Sequence, residues 1–342
     1  METILMIFVF GSLFGLIIQY ASLNKYNVIS AQSELKNNTV IRTILLTLGI
    51  GAILLSIITG FNLASFHVKP FVLGGVILGG LIFGSGMTIL GYCPGTLAVS
   101  VGEGSLDAVV GIIGGLFGGL FFTVLSPNIQ WLIGVNLGKI SLFSAIGNHQ
   151  IIYYLIVFAI SSIFIYAAFF INKKENNTNK KWIIAGVLLA ILNSVVFLSA
   201  TTNRPIGAST SYPYIADLLT NTTNNNYFSK IEIPGNWEMI FLFGAMIAAF
   251  IVSVIKKDFG FRLIYSNWEK QKGNSKIKRI IWAFVGGFLL IFGARMAGGC
   301  TSGHIISGGM QLAVSSFVFA IFMFIGLVAT GKLFFNQTRS EE

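Results

Sequence analysis

The chain has 342 residues, 54% of them hydrophobic and 10% charged, with a formal net charge of +10. A soluble globular domain carries about 25% charged residues, so this sequence lacks the polar surface a water-facing fold needs and reads as an all-α integral membrane protein. The positive balance does not point to nucleic acid, because the lysines and arginines sit in short segments between apolar runs, where membrane topology accounts for them.

The chain opens on METILMIFVFGSLFGLIIQY. This run has no basic stretch ahead of it and exceeds the core of about 7–15 residues of a signal peptide, so it is expected to be the first span. Runs near the roughly 20 residues that cross a hydrocarbon core fall at 4–23, 41–60, 71–90, 105–125, 151–171, 183–202, 239–255, 280–297 and 312–331. Segment 129–147 reads as peripheral, and the polar stretch TTNNNYFSKIEIPGNW as an exposed loop. Basic residues concentrate in alternate connections: Lys25, Lys36 and Arg42; Lys173, Lys174, Lys180 and Lys181; and eight Lys/Arg from Lys256 to Arg279. Under nine spans these share one side, which should be cytoplasmic. The N-terminus is then outside and the C-terminus inside.

The sequence repeats itself. GSGMTILGYCPGTLAVSVGEG, from Gly84 to Gly104, lies without a gap on IFGARMAGGCTSGHIISGGMQ after a shift of 207 residues. Gly86 meets Gly293, Gly91 meets Gly298, Cys93 meets Cys300 and Gly102 meets Gly309. Upstream, Gly79 and Gly80 meet Gly286 and Gly287. In the nine-span topology the preceding spans run in opposite directions, so the repeats are inverted, a recurrent transporter architecture with its site near the midplane. A weaker match links LNKYNVISAQ with TNRPIGASTSYP. The expectation is one transmembrane domain over 1–342, with repeat 1 at about 1–125, a linker region at 126–182, repeat 2 at about 183–331, and four short re-entrant segments converging at the centre. Non-helical backbone at membrane depth must be shielded by protein or line a polar cavity. The 39 glycines, well above a usual 7%, fit that demand.

The two cysteines build no disulfide framework, and there is no CxxC, zinc spacing, GxxxxGK[ST] or strand-to-helix GxGxxG. No metal or cofactor is expected. Each cysteine instead sits beside glycine or proline in equivalent places of the two repeats. Arg295 lies inside an assigned span five residues before Cys300, and an intramembrane charge marks a functional site by default. His304 is read either as tuning a thiol or as capping a helix. Glu103 and Asp107 stand where a helix begins, as caps would.

These residues resemble the YeeE/YedE family of bacterial sulfur transporters. The likeness rests on GYCPGT…GEG at 91–104 and GARMAGGCTSGH..SGG at 293–309, and it extends weakly over the whole chain. It implies a multi-pass protein of the bacterial cytoplasmic (inner) membrane that imports thiosulfate or a closely related small sulfur-containing anion, handed between buried thiols by S–H···S hydrogen bonds. By that resemblance Cys93 and Cys300 are the two inner relay thiols. Path residues around them are Gly91, Pro94, Gly95, Gly299 and Thr301, with Arg295 and His304. The family pattern often adds a third cysteine in the first loop, in an arrangement like Gln-Arg-Ser-x-Phe-Cys. Here that stretch is QYASLN, with Asn24 at the cysteine position and Tyr20 at the arginine. Asn24 still donates hydrogen bonds, and the departure leaves a selenium or other sulfur species open as substrate. Expected partners are the sulfur anion, membrane lipid and, from the family association, a cytoplasmic sulfur-carrier protein. A membrane thiol or sulfur-transfer enzyme using Cys93 and Cys300 is the competing reading. It needs a base near an acidic thiol, and only His304 offers one.

Overall fold

A computed structural model describes residues 2–147, 149–175 and 178–335. The order is α1 (Glu2–Tyr20), α2 (Tyr26–Ser33), α3 (Thr39–Gly60), α4 (Leu73–Leu90), α5 (Pro94–Gly102), α6 (Leu106–Leu125), α7 (Gln130–Ile133), α8 (Leu142–Ile146), α9 (Gln150–Lys174), α10 (Lys181–Phe197), α11 (Ser211–Leu219), α12 (Phe228–Ile255), α13 (Ser266–Lys272) and α14 (Lys276–Met296). A wide π-type helix, Thr301–Gly308, and α15 (Val314–Phe335) complete it. Among the described residues, eight helices are long and apolar enough to cross a membrane, and α10 is a shorter apolar helix of 17 residues. The protein is an all-α, multi-pass membrane protein.

Helices α4 and α14 form the centre and run antiparallel. Gly79 backs onto Gly293 and Gly86 onto Gly286, so closely that a Cβ on Gly79 would lie 2.6 Å from the Gly293 carbonyl oxygen. The 207-residue shift turns the first of these contacts into the second. Helix α6 lies along α14, with Gly114 and Gly118 against the carbonyls of Phe284 and Phe288, and α15 lies along α4 through Gly84 and Gly326. Helix α1 runs along α12 through Gly11, Gly15 and Gly244, while Thr47 of α3 donates to the Gly186 carbonyl of α10 at 3.1 Å. Lipid is as apolar as leucine, so helices in a bilayer associate through close van der Waals fit, which glycine faces supply.

Element boundaries differ from the sequence pattern in two instructive places. The sixth apolar run ends as a helix at Phe197 rather than 202. There Thr201 Oγ1 donates to the carbonyls of Val195 and Leu198, at 2.6 and 2.9 Å, satisfying groups the helix end leaves open. The seventh span begins at Phe228, eleven residues before the expected 239, so most of the segment read as a polar loop is helix. Pro234 sits inside it. Tertiary contacts outweigh that proline: Phe228 stacks on Tyr214 of α11 at 5.8 Å, and Gly235 admits the Tyr214 side chain. Segment 129–147 forms α7 and α8 with an extended stretch between, which pairs Leu137 and Gly138 with Phe71, a peripheral arrangement as expected. LNKYNVISAQ holds α2, and TNRPIGASTSYP leads into α11.

Candidate substrate path

Helix α4 stops at Gly91, whose φ of +84° places it in the left-handed region that glycine adopts without strain. Tyr92 follows fully buried, and Cys93 is the N-cap of α5 with Pro94 at the first helical position. The Cys93 N–H donates to Thr96 Oγ1 at 2.9 Å, and that hydroxyl lies 3.3 Å from Cys93 Sγ. The second break copies this plan. Helix α14 ends at Met296, Gly298 takes φ +76°, and Cys300 is the N-cap of the π-type helix. Cys300 Sγ lies 3.2 Å from Ser302 Oγ. Each thiol therefore stands at the positive end of a short helix.

The two breaks meet. Thr301 and Ser302, next to Cys300, line the same cavity as Cys93, and Tyr212 of α11 donates to the Pro94 carbonyl at 3.1 Å. Both thiols are free. Cys93, Gly95, Thr96, Thr301 and Ser302 line one cavity of about 60 Å³, whose remaining wall is largely apolar. On the other side of the break in α14 a larger cavity, about 760 Å³, is lined by Lys69, Lys230 and Arg295, with no carboxylate. Arg295 donates to Tyr227 Oη at 2.7 Å, Thr210 Oγ1 at 2.9 Å and Ser209 Oγ at 3.2 Å. Neither Lys69 nor Arg295 belongs to an ion pair among the described residues. Partial burial in the cavity wall, and then the Arg295 guanidinium, pull the Lys69 ammonium down to about 8.

Other expected path residues are placed less centrally. Gly299 has its would-be Cβ position 2.9 Å from the His304 ring and from Lys69 Nζ, so no side chain fits there. His304 is buried and stacks on Phe319 at 4.7 Å. It donates from Nε2 to the Ala297 carbonyl at 2.8 Å while Nδ1 lies 3.2 Å from Ser316 Oγ. Both ring nitrogens are thus engaged in closing the end of α14. Asn24 is buried but does not line the 60 Å³ cavity. Its side-chain NH₂ donates to Glu103 Oε2 at 2.7 Å, its main-chain carbonyl accepts from Ser100 Oγ at 2.8 Å, and its Oδ1 has no partner. Glu103 also holds Lys25 at 2.6 Å.

Sequence reading missed the residues that hold the first break. Arg279, fully buried on α14, donates to the carbonyls of Ile89 and Leu90 at 3.2 and 2.7 Å and pairs with Asp107 at 2.5 Å. Its guanidinium lies between Tyr26 and Trp268, 4.5 and 4.6 Å from their ring centres. Tyr92 donates to Asp107 at 3.2 Å. Asp107 also accepts from the Ala108 N–H at 2.9 Å, as a helix-start acid does, but its main partner is 172 residues away. Signals existed, in that Asp107 falls within an apolar run and Lys69 is a base in a base-poor connection, but neither names its partner.

Residues 26–329 match the family model described as sulphur transport. The chain belongs to this family. Within the sulphur-transport family it is 26% identical over 335 residues to the thiosulfate transporter TsuA of Spirochaeta thermophila, covering 92% of this chain and 94% of the relative. The family match spans both cysteine breaks.

Proposed function

We propose that this protein imports thiosulfate, or a small sulfur anion close to it, across the bacterial cytoplasmic membrane. The observation that carries the reading is the Cys300 break itself: Gly298, before the cysteine, lines a cationic cavity, and Thr301 and Ser302, after it, line a largely apolar one together with Cys93. The anion collects in the outer cavity, where Lys69, Lys230 and Arg295 raise its local concentration. It then passes Cys300 and Cys93 by exchanging S–H···S hydrogen bonds. A neutral thiol is a weak donor. That suits permeation, which needs binding weak enough to release. The helix N-termini behind the thiols offset part of the anion's desolvation without a fixed charge at the narrowest point. The name of the Spirochaeta relative supports thiosulfate as the substrate.

The same reading takes the two halves, about 1–125 and 183–331, as an inverted repeat around α4 and α14. The antiparallel contacts that exchange under the 207-residue shift support it. The basic connections put the N-terminus outside and the C-terminus in the cytoplasm.

Uptake of labelled thiosulfate into a bacterial host lacking its own sulfur importers tests this, with wild type beside Cys93→Ala and Cys300→Ala. Wild type should accumulate label and both variants should lose most of it. If both import at the wild-type rate, the thiols are not a relay. If wild type carries selenite or another sulfur anion but not thiosulfate, the substrate assignment is wrong.

A further inference from the structure

The 60 Å³ cavity beyond the thiols holds one polar group with nothing to do. Its wall includes six polar or thiol side chains: Gln32, Thr43, Cys93, Thr96, Thr301 and Ser302. The hydroxyls are already committed. Thr43 donates to the Thr39 carbonyl at 2.8 Å. Thr96 is bound to Cys93, Ser302 lies against Cys300, and Thr301 is not among the buried side chains left without a partner. Gln32 is different. It is 4% exposed, and its Oε1 has no hydrogen-bond partner. A buried polar atom without a partner is costly and calls for one. The oxygen itself needs a donor, which an anion does not offer, so an anion in the cavity would be met by the other end of the amide.

Resting on the import reading above, we infer that Gln32 is the inner binding residue of the path, accepting the sulfur anion from Cys93 on its way to the cytoplasm. The resemblance assigns that station to Asn24, but Asn24 lies outside the cavity lining and its NH₂ group donates to Glu103, although its Oδ1 is also without a partner. Gln32, the penultimate residue of α2, lines the same cavity as Cys93. Rotating the amide by 180° presents its NH₂ group, with two donors, to the anion. The rest of the wall, including Phe14, Ile18, Leu23 and Met87, is apolar. Such a wall favours an anion with a soft, weakly hydrated sulfur end over a fully oxygenated one, since stripping the latter's water has no compensation. An uncharged amide holds the anion without trapping it.

Among the ionisable groups on the elements around α2, Arg42 pairs with Glu175, Arg279 with Asp107 and Glu34 with Lys36, while Glu269, Lys270 and Lys272 of α13 and Lys332 of α15 do not line the cavity. The titratable group that lines the cavity is the Cys93 thiol, and a carboxylate introduced at position 32 would be the only acid there.

Labelled thiosulfate uptake is measured at pH 7.5 and 5.5 for wild type, Cys93→Ala, Gln32→Leu, Gln32→Met and Gln32→Glu, normalised to protein in the membrane. Leu and Met should each lower uptake about tenfold, the loss of one hydrogen bond to a charged ligand. Gln32→Glu should be the poorest importer at pH 7.5 and recover in part at pH 5.5, as its buried carboxyl takes up a proton and stops repelling the anion. A merely structural role would not produce that recovery. Wild-type uptake by both Leu and Met variants, or a Glu deficit equal at the two pH values, overturns the inference. If wild type imports and Cys93→Ala does not, that failure belongs to Gln32 alone. If wild type, present in the membrane, imports no thiosulfate, the import reading fails and Gln32 falls with it.

Discussion

The two helix breaks are copies in sequence and opposites in how they are held. At the first, the carbonyls of Ile89 and Leu90 are capped by Arg279, which is fully buried, locked to Asp107 and clasped by Tyr26 and Trp268. At the second, the Ala297 carbonyl accepts from His304 and the Gly298 carbonyl from Lys69 at 2.5 Å. Lys69 is partly exposed on a cavity, without a carboxylate. Shifted by 207 residues, Asp107 and Arg279 fall on Val314 and Val72, so the ion pair has no counterpart in the other half. The lesson is that a duplicated backbone fixes where the breaks lie, while unduplicated side chains decide their character. The cap of the first break is sealed. The second break shares its cap with the 760 Å³ cavity, where the ammonium that closes a helix end also faces open space.

The largest effect that would sharpen this contrast is at the sealed cap. Asp107→Ala should destabilise the protein by about 3–5 kcal/mol, because a buried guanidinium is left without its partner. Thermal unfolding of the detergent-solubilised protein measures it, and Asp107→Leu with Arg279→Met should recover part of the loss. A fall in stability no larger than that of a surface change would mean the first break is not held by this pair.

Next come the two glycines. At Gly91 a Cβ would run into the Tyr26 ring in addition to straining the backbone, whereas at Gly298 nothing lies within 4 Å. Gly91→Ala should therefore cost about 2–4 kcal/mol, combining left-handed strain with overpacking, and Gly298→Ala only about 1–2 kcal/mol. Equal losses in the same unfolding measurement would break the comparison.

Lys69 should show the reverse profile, with little change in stability and a change in transport. Lys69→Ala is expected to raise the KM for thiosulfate uptake several-fold, since a cation at the mouth acts on capture. The pH dependence follows from its lowered value of about 8. Below that pH the ammonium is charged and draws the anion, and above it the group is neutral. Wild-type uptake should fall as pH rises through about 8, and Lys69→Arg should flatten that fall, because guanidinium stays protonated. An unchanged pH profile in Lys69→Arg would assign the fall to another group.

Much of the fold was legible because a bilayer imposes a length and a polarity on each span. The apolar runs at 41–60, 71–90 and 105–125 reappear within a few residues as α3, α4 and α6. Glycine beside cysteine announced both breaks, since only Gly91 and Gly298 suit the left-handed turn each needs. The start of α12 was not legible. Its first turns read as polar loop with a proline, and their helicity rests on Tyr214 of α11 packing against Phe228 and Gly235.

The sequence by itself determined the membrane class, the repeat of 207 residues and the two cysteine breaks, because each is written in local composition and spacing. Tertiary structure alone decided which groups serve those breaks. Arg279 reaches Ile89 across 190 residues, Lys69 reaches Gly298 across 229, and Asn24 is drawn to Glu103, 79 residues on, leaving the inner cavity to Gln32. Such pairings follow from which helices lie side by side, and a periodicity along one helix carries no information about its neighbour.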